Sequence, residues 1–268
     1  GDILTLSNST LPTWLQFDTT SGVLSGIPTN SDVGTHYVTL TVTDATGLPD
    51  VQSFMVNVVN VNDAPVFAAS SANLSIAEKT DVSTIIYTAS ATDADGESLT
   101  YSLSGIDASL LNVDASSSVV TLKAPADYET KKQYFFTVTA SDGELTDALD
   151  VTLDVTDVND DPVVTSSAVT MINEDAAYSY TFTASDVDAG DTPTLRAETT
   201  PDWLSFDAGT GVLSGTPSND DVGDHSVVLR ATDASNAYEE QSFTVTVSNV
   251  NDDPVVTSSA VTMINEDA

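Results

Sequence analysis

The sequence predicts an all-β chain of tandem antiparallel Greek-key sandwiches laid end to end in an elongated array. Three observations predict it. Short runs of β-branched and aromatic residues alternate with polar ones, a long stretch of the chain repeats itself, and acidic Asn-Asp-x-Pro segments recur where one repeat passes to the next.

The strand signal comes first. His36 to Thr43, Ser53 to Val59, Gln133 to Ala140, Tyr178 to Ala184 and Gln241 to Ser248 all show period-two alternation. Such alternation marks strands with one buried face. Gly, Pro, Asn and Asp punctuate the runs, as turns require. No amphipathic helix pattern interrupts them. Even spacing of short strands in modules of this size reads as sandwiches.

The repeats set the organisation. Residues 1–65 align without a gap on residues 190–254, and just over half of the positions agree. Shared landmarks include Trp14-Leu15 with Trp203-Leu204, and Gly22-Val23-Leu24-Ser25-Gly26 with Gly211-Val212-Leu213-Ser214-Gly215. Residues 158–176 recur unchanged at 250–268, a period of 92 residues. We therefore expect a module at 1–65 that lacks its first strands, whole modules at 66–162 and 163–254, and the opening strand of another at 255–268. An exposed sheet edge and a spare strand would allow head-to-tail self-association by strand donation from 255–268.

Charge narrows the function. The 268 residues carry 41 Asp and Glu against 6 Lys and Arg, a formal net charge of −35. That balance excludes nucleic acid, whose phosphates need cationic partners, and disfavours anionic membrane surfaces. No apolar run is long enough to insert in a membrane. With no Cys, no disulfide or thiolate site forms. Two readings of the acidity stand beside each other, a solubility device and cation binding. Asp outnumbers Glu and gathers in short loops with Gly, Asn and Pro, which suits loop-built Ca²⁺ sites. No nucleophile elbow, phosphate loop or metalloprotease signature is present, so the chain reads as no enzyme.

The linkers read NVNDAP (60–65), DVNDDP (157–162) and NVNDDP (249–254). Their Asn and Asp side chains and carbonyls are hard oxygen donors. In the middle module, Asp93-Ala94-Asp95 and Asp127-Tyr128-Glu129 each project two carboxylates to one side of an extended segment, and Glu78 and Asp142 complete the acidic set. Bland readings cover other residues. Trp14 and Trp203 are packing residues in preference to a sugar-stacking platform. His36 and His225 lack the company zinc needs. Asp32 and Asp221 form turns, and Asp44 is balanced between turn and ligand. The Lys residues, all in the middle module, pair with surface acids.

On these motifs residues 66–162 resemble a cadherin repeat: Glu78, Asp93-Ala94-Asp95-Gly96 before Leu99-Thr100-Tyr101, Asp127-Tyr128-Glu129, Ala140-Ser141-Asp142-Gly143 and Asp157-Val158-Asn159-Asp160, in order. Residues 1–65 and 163–254 resemble dystroglycan-type cadherin-like, or bacterial Ig-like, modules through Trp-Leu-x-Phe-Asp and Gly-Val-Leu-Ser-Gly. The resemblance implies an extracellular structural or adhesive segment of a bacterial surface or secreted protein, stiffened by Ca²⁺ at its joints. It implies ligands Glu78, Asp127, Glu129, Asp157, Asn159, Asp160, Asp186, Asp188 and Asp233 at the second joint. Asn60, Asn62 and Asp63 with Asp93, Asp95 and Asp142 would serve the first, with fewer or weaker ions because no Asp-x-Glu motif precedes them. Glu174, Asn249, Asn251 and Asp252 would form an incomplete third. The alternative is a calcium-dependent module for polysaccharide, or a protein ligand, attached to a larger enzyme or adhesin.

Overall fold

A computed structural model describes residues 3–260, 262, 263 and 266. It divides into two compact units, residues 1–156 and 157–268. Strands and three short 3₁₀ turns make up the regular structure of the described residues, and no helix among them is long and apolar enough to cross a membrane.

In the second unit, one sheet orders the strands Met171–Asn173, Tyr238–Ser248, Gly223–Thr232 and Thr194–Thr199 side by side. The first pair is parallel and the others antiparallel. A three-stranded sheet of Tyr178–Thr181, Val212–Gly215 and Leu204–Asp207 faces it. The alternation read in the sequence explains the core. Val227, Leu229 and Ala231 point inward from one strand and Val245 and Val247 from its neighbour, around Phe182 and Leu213.

The first unit holds two sets of sheets. Residues 66–156 build a four-stranded sheet from Thr100–Ser104, Gln133–Ser141, Thr146–Thr156 and Ser71–Ala77, with a three-stranded partner of Leu111–Val113, Val119–Leu122 and Tyr87–Thr88. Residues before them form the sheet Thr5–Thr10, Gly34–Thr43, Pro49–Val58 and the hairpin Leu15–Asp18 with Val23–Gly26.

The sequence repeat is a repeat of structure. The strand Gly34–Thr43 pairs with Pro49–Val58 as Gly223–Thr232 pairs with Tyr238–Ser248. Each copy has a Gly at the end of Val-Leu-Ser-Gly, because a Cβ there would stand 2.1 Å from the Trp14 carbonyl oxygen, or 2.0 Å from that of Trp203. Trp14 and Trp203 meet His36 and His225 edge-on, and each His Nε2 donates to the carbonyl of Asp32 or Asp221 at 2.6 Å. These are packing roles, as the sequence suggests. Asp32 and Asp221 accept the N–H and hydroxyl of Thr29 and Ser218, which makes them turn formers too.

The copies differ at one edge. In the second unit Met171–Asn173 lies along Tyr238–Ser248, whereas among the described residues Pro49–Val58 has a neighbour on one side only. The facing hairpin Leu15–Asp18 with Val23–Gly26 also has no described equivalent of Tyr178–Thr181, and Leu40 and Val42 are half-exposed, where their counterparts Leu229 and Ala231 are fully buried. They line an open groove of about 520 Å³ with Leu6, Phe17 and Gln52. The expected spare strand at 255–268 falls partly outside the described residues, at 261, 264, 265, 267 and 268. Val255, Val256 and Met263 are exposed.

The repeat supplies a controlled comparison. Leu229→Ala should destabilise its unit by about 3 kcal/mol or more, and Leu40→Ala its own unit by roughly half as much, since truncation cost scales with the cavity left. Urea unfolding of the two variants checks this.

Candidate cation-binding sites

Two acidic sites, one in each unit, are built on a single hydrogen-bond template. In the first unit the segment Asp93-Ala94-Asp95-Gly96-Glu97 turns back at Gly96, whose φ of +76° suits glycine. Asp93 Oδ1 accepts the Asp95 N–H at 2.8 Å and fixes the loop. Asp95 Oδ2 in turn accepts the N–H of linker residue Asp63 at 2.8 Å. The neighbouring linker residue Asn62 donates through Nδ2 to Asp142 Oδ2 at 3.0 Å. Asp142 Oδ1 takes the N–H groups of Glu144 and Leu145 at 2.6 and 2.7 Å.

The second unit repeats the pattern, with one N–H in place of two on the last carboxylate. Asp186 Oδ1 accepts the Asp188 N–H at 2.9 Å, and Asp188 Oδ2 accepts the N–H of linker residue Asp160 at 2.8 Å. Asn159 donates to Asp233 Oδ2 at 2.7 Å, and Asp233 Oδ1 accepts the Ala237 N–H at 2.7 Å. Asp233 is 6% exposed. Asp44, its repeat counterpart, spends its Oδ1 on Thr46 and Leu48 and is a turn residue.

These bonds leave carboxylate oxygens pointing at one another. Asp93, Glu97 and Asp142 each bring an oxygen within 4.8 Å of the others, and Asp186, Asp191 and Asp233 do the same. Asp93 Oδ2, Asp186 Oδ2 and Asp188 Oδ1 are shut off from solvent without a hydrogen-bond partner. A buried unpaired carboxylate oxygen is costly, and a cation is one of the few things that satisfies it. The donor set is oxygen throughout, which fits a hard ion such as Ca²⁺ and does not fit zinc. Burial pushes the Glu97 carboxyl above the usual range, with added repulsion from Asp142, Asp93, Asp95 and Glu144. Asp142 is held below that range, first by the Leu145 N–H and next by that of Glu144.

The other expected residues lie as follows. Glu78 is 3% exposed, and its Oε2 accepts the Tyr128 N–H at 2.8 Å, so the Asp127-Tyr128-Glu129 turn closes over it. Asp127 accepts the Thr130 N–H and hydroxyl, each at 2.8 Å, which lowers its pKa. Its exposed carboxylate thus shapes the turn. Glu174, the counterpart of Glu78, is 2% exposed. One of its oxygens accepts the Val250 N–H and the other, Oε2, has no partner. Asn251 Nδ2 donates to the Asp252 carbonyl at 3.1 Å. Asn60, Asp157, Asn249 and Asp252 are exposed and Glu129 is half-buried.

Sequence reasoning missed Asn30, Glu97 and Asp191. Glu97 and Asp191 were legible, since each is the acid next after the glycine of its Asp-x-Asp loop. Asn30 was not. It lies in a 3₁₀ turn distant in sequence, and its Nδ2 donates to Asp63 Oδ2 at 2.7 Å and to Asp95 Oδ1 at 3.1 Å.

The model of the putative Ig domain family matches residues 1–59 and 161–248, and that of the cadherin domain matches residues 72–156. The human Cadherin EGF LAG seven-pass G-type receptor 2 is 32% identical over 216 residues, which are 75% of this chain and 7% of that protein. The Drosophila melanogaster Protein dachsous is 32% identical over 185 residues, 63% of this chain and 5% of that protein. The chain therefore spans a small fraction of these relatives. Among solved structures, mouse Cadherin-23 EC22-24 superimposes with a TM-score of 0.55 at 22% identity, covering 92% of this chain and 86% of its own. The Protocadherin Gamma B2 extracellular cadherin domains 3-6 give 0.54 at 19%, covering 93% and 69%. These likenesses show the fold.

The raised Glu97 carboxyl has a defined sign. A carboxyl whose pKa is raised by folding favours the folded state below the ordinary range, and that contribution is lost as pH rises through the raised value. In chelator at neutral pH, Glu97→Gln should therefore raise the melting midpoint of its unit, with the difference vanishing near pH ~4. Calorimetry across pH in the presence of chelator measures it.

Proposed function

The chain belongs to the putative Ig domain family over more than half its length, with a cadherin domain between the two copies, and from that premise we propose that it is a calcium-binding extracellular segment with a structural or adhesive role. One observation carries the reading. The same bonding template, with solvent-excluded carboxylate oxygens left unpartnered, is built twice from different stretches of chain.

In the first unit the ligands are Asp93, Asp95, Glu97 and Asp142, held in place by the backbone of Asp63 and the amide of Asn62. In the second they are Asp186, Asp188, Asp191 and Asp233, held by Asp160 and Asn159. Glu78, Asp127 and Glu129 form a further acidic set in the first unit. Asp157 adds an exposed carboxylate in the second, where Glu174, Asn249, Asn251 and Asp252 form another set. When bound, Ca²⁺ supplies the positive charge that these carboxylates lack.

The protein's own contribution is preorganisation. Backbone N–H groups aim each carboxylate before any ligand arrives, so little side-chain entropy remains to be lost on binding. Each cluster draws on a loop of the sandwich and on a linker, so binding ties the linker to the sandwich. A segment of this kind transmits or presents, and carries no catalytic constellation in this reading. The adhesive role follows from the membership, and an extracellular location is where calcium at the millimolar level is available to sites of modest affinity, about 10⁻⁴–10⁻³ M.

Calcium at about one hundred times its dissociation constant should stabilise each binding unit by about 2.7 kcal/mol per site, reversed by chelator. Asp188→Ala should remove the second unit's share and leave the first unit's. Scanning calorimetry in calcium and in chelator reports both, and melting indifferent to calcium would sink the reading.

A further inference from the structure

The two Ig-type modules lack the Asp-Tyr-Glu turn of the middle module, and the structure puts an asparagine in its place. The tail of the first strand identifies the turns as equivalents. In the middle module the Lys79 N–H donates to the Ala126 carbonyl at 2.9 Å, and in the second unit the Asp175 N–H donates to the Pro217 carbonyl at 2.8 Å. The turn that follows is Asp127-Tyr128-Glu129 in one case and Asn219–Asp221 in the other, with Asn30–Asp32 as its repeat in the first unit.

The two kinds of turn treat the acids differently. The first satisfies Glu78 Oε2 with a backbone N–H. The second leaves Glu174 Oε2 unpartnered on a side chain that is 2% exposed. Asp32 and Asp221 do not help, because both are spent capping the turn itself. The side chain that does reach the acids is the asparagine, from Asn30 to Asp63 and Asp95 and from Asn219 to Asp252.

We infer that Asn30, and Asn219 in the repeat, is a cation ligand through its amide oxygen. This inference rests on the calcium reading above. A carboxamide carries a donor and an acceptor on one planar head, and a half-turn about its last bond exchanges them. Facing bare carboxylates, the head presents Nδ2, as the structure shows. With a cation between the carboxylates, the same head presents Oδ1, a neutral hard oxygen suited to Ca²⁺. The residue is thus a donor in the empty site and a ligand in the filled one. A glutamate in this turn would add a third charge to Asp63 and Asp95, whereas asparagine tolerates both states.

Titration calorimetry of Ca²⁺ into the 268-residue chain, with the wild type, Asn30→Ala, Asn30→Asp and Asn219→Ala, tests the idea. Asn30→Ala should weaken the first unit's site about tenfold or more, the scale typical for removing a group that supports a metal. Asn30→Asp should restore or exceed wild-type affinity while lowering the melting midpoint in chelator. In nitrogen-labelled protein, the side-chain amide resonances missing from Asn30→Ala should shift on calcium addition. If the amide served only to tie the empty carboxylates together, Asn30→Ala would bind calcium as tightly as the wild type or more so, and the inference fails while the calcium reading stands. A wild-type chain that takes up no calcium overturns both.

Discussion

Carboxylates gathered at low exposure repel one another, and most of what is distinctive in this chain follows from that constraint. With a net charge of −35 and 6 cationic side chains, ion pairing cannot be the general answer. Two of those cations are committed elsewhere. Lys131 lies 2.9 Å from the buried Asp107 in the middle module, and Arg230 is shared between Glu198 and Glu240 on an outer sheet face. The acidic loops are instead held by neutral donors: backbone N–H groups, linker asparagines and the asparagine of a short turn. Such donors orient an oxygen without neutralising it. The residual charge is what makes the loops receptive to a divalent ion.

The sandwiches supply the placement. Strand alternation sends Val227, Leu229 and Ala231 inward, and the same strand ends at Thr232, directly before Asp233. In the middle module the strand Gln133–Ser141 buries Tyr134, Phe136, Val138 and Ala140 and ends directly before Asp142. A ligand that begins where a packed strand ends inherits the rigidity of the core, which is why loops can hold such sites. Any slip in register would invert the buried face and displace the acid together.

Much of this was legible in the sequence, for identifiable reasons. Alternation and repetition are local properties, so the all-β architecture and the correspondence between the copies could be read directly. Asp93, Asp95, Asp142 and their counterparts were legible because each has a short motif around it. What escaped was contact between distant segments. Asn30 bonds to Asp63 and Asp95 across 33 and 65 residues, and nothing in Thr-Asn-Ser-Asp marks it as other than turn chemistry. The division of roles within a motif was equally hidden. In Asp93-Ala94-Asp95, one carboxylate secures the loop and keeps a spare oxygen, while the other receives the linker.

The linker itself shows why residue type matters at each place. In Asn-Asp-x-Pro the asparagine acts through its amide, while the aspartate gives its backbone N–H to the acidic loop and, at Asp63, its carboxylate to the Asn30 amide, so the two side chains are not interchangeable. Pro65 and Pro162 are fully buried, which anchors the linker at a fixed distance from the bonds before it. Proline donates no hydrogen bond, so burying it leaves no N–H unsatisfied. A bulkier residue at the proline would displace the N–H that the Asp-x-Asp loop receives. The spacing of three residues from asparagine to proline is therefore set by geometry at both ends: an amide that must reach one acidic loop, and a ring that must fill the edge of a core.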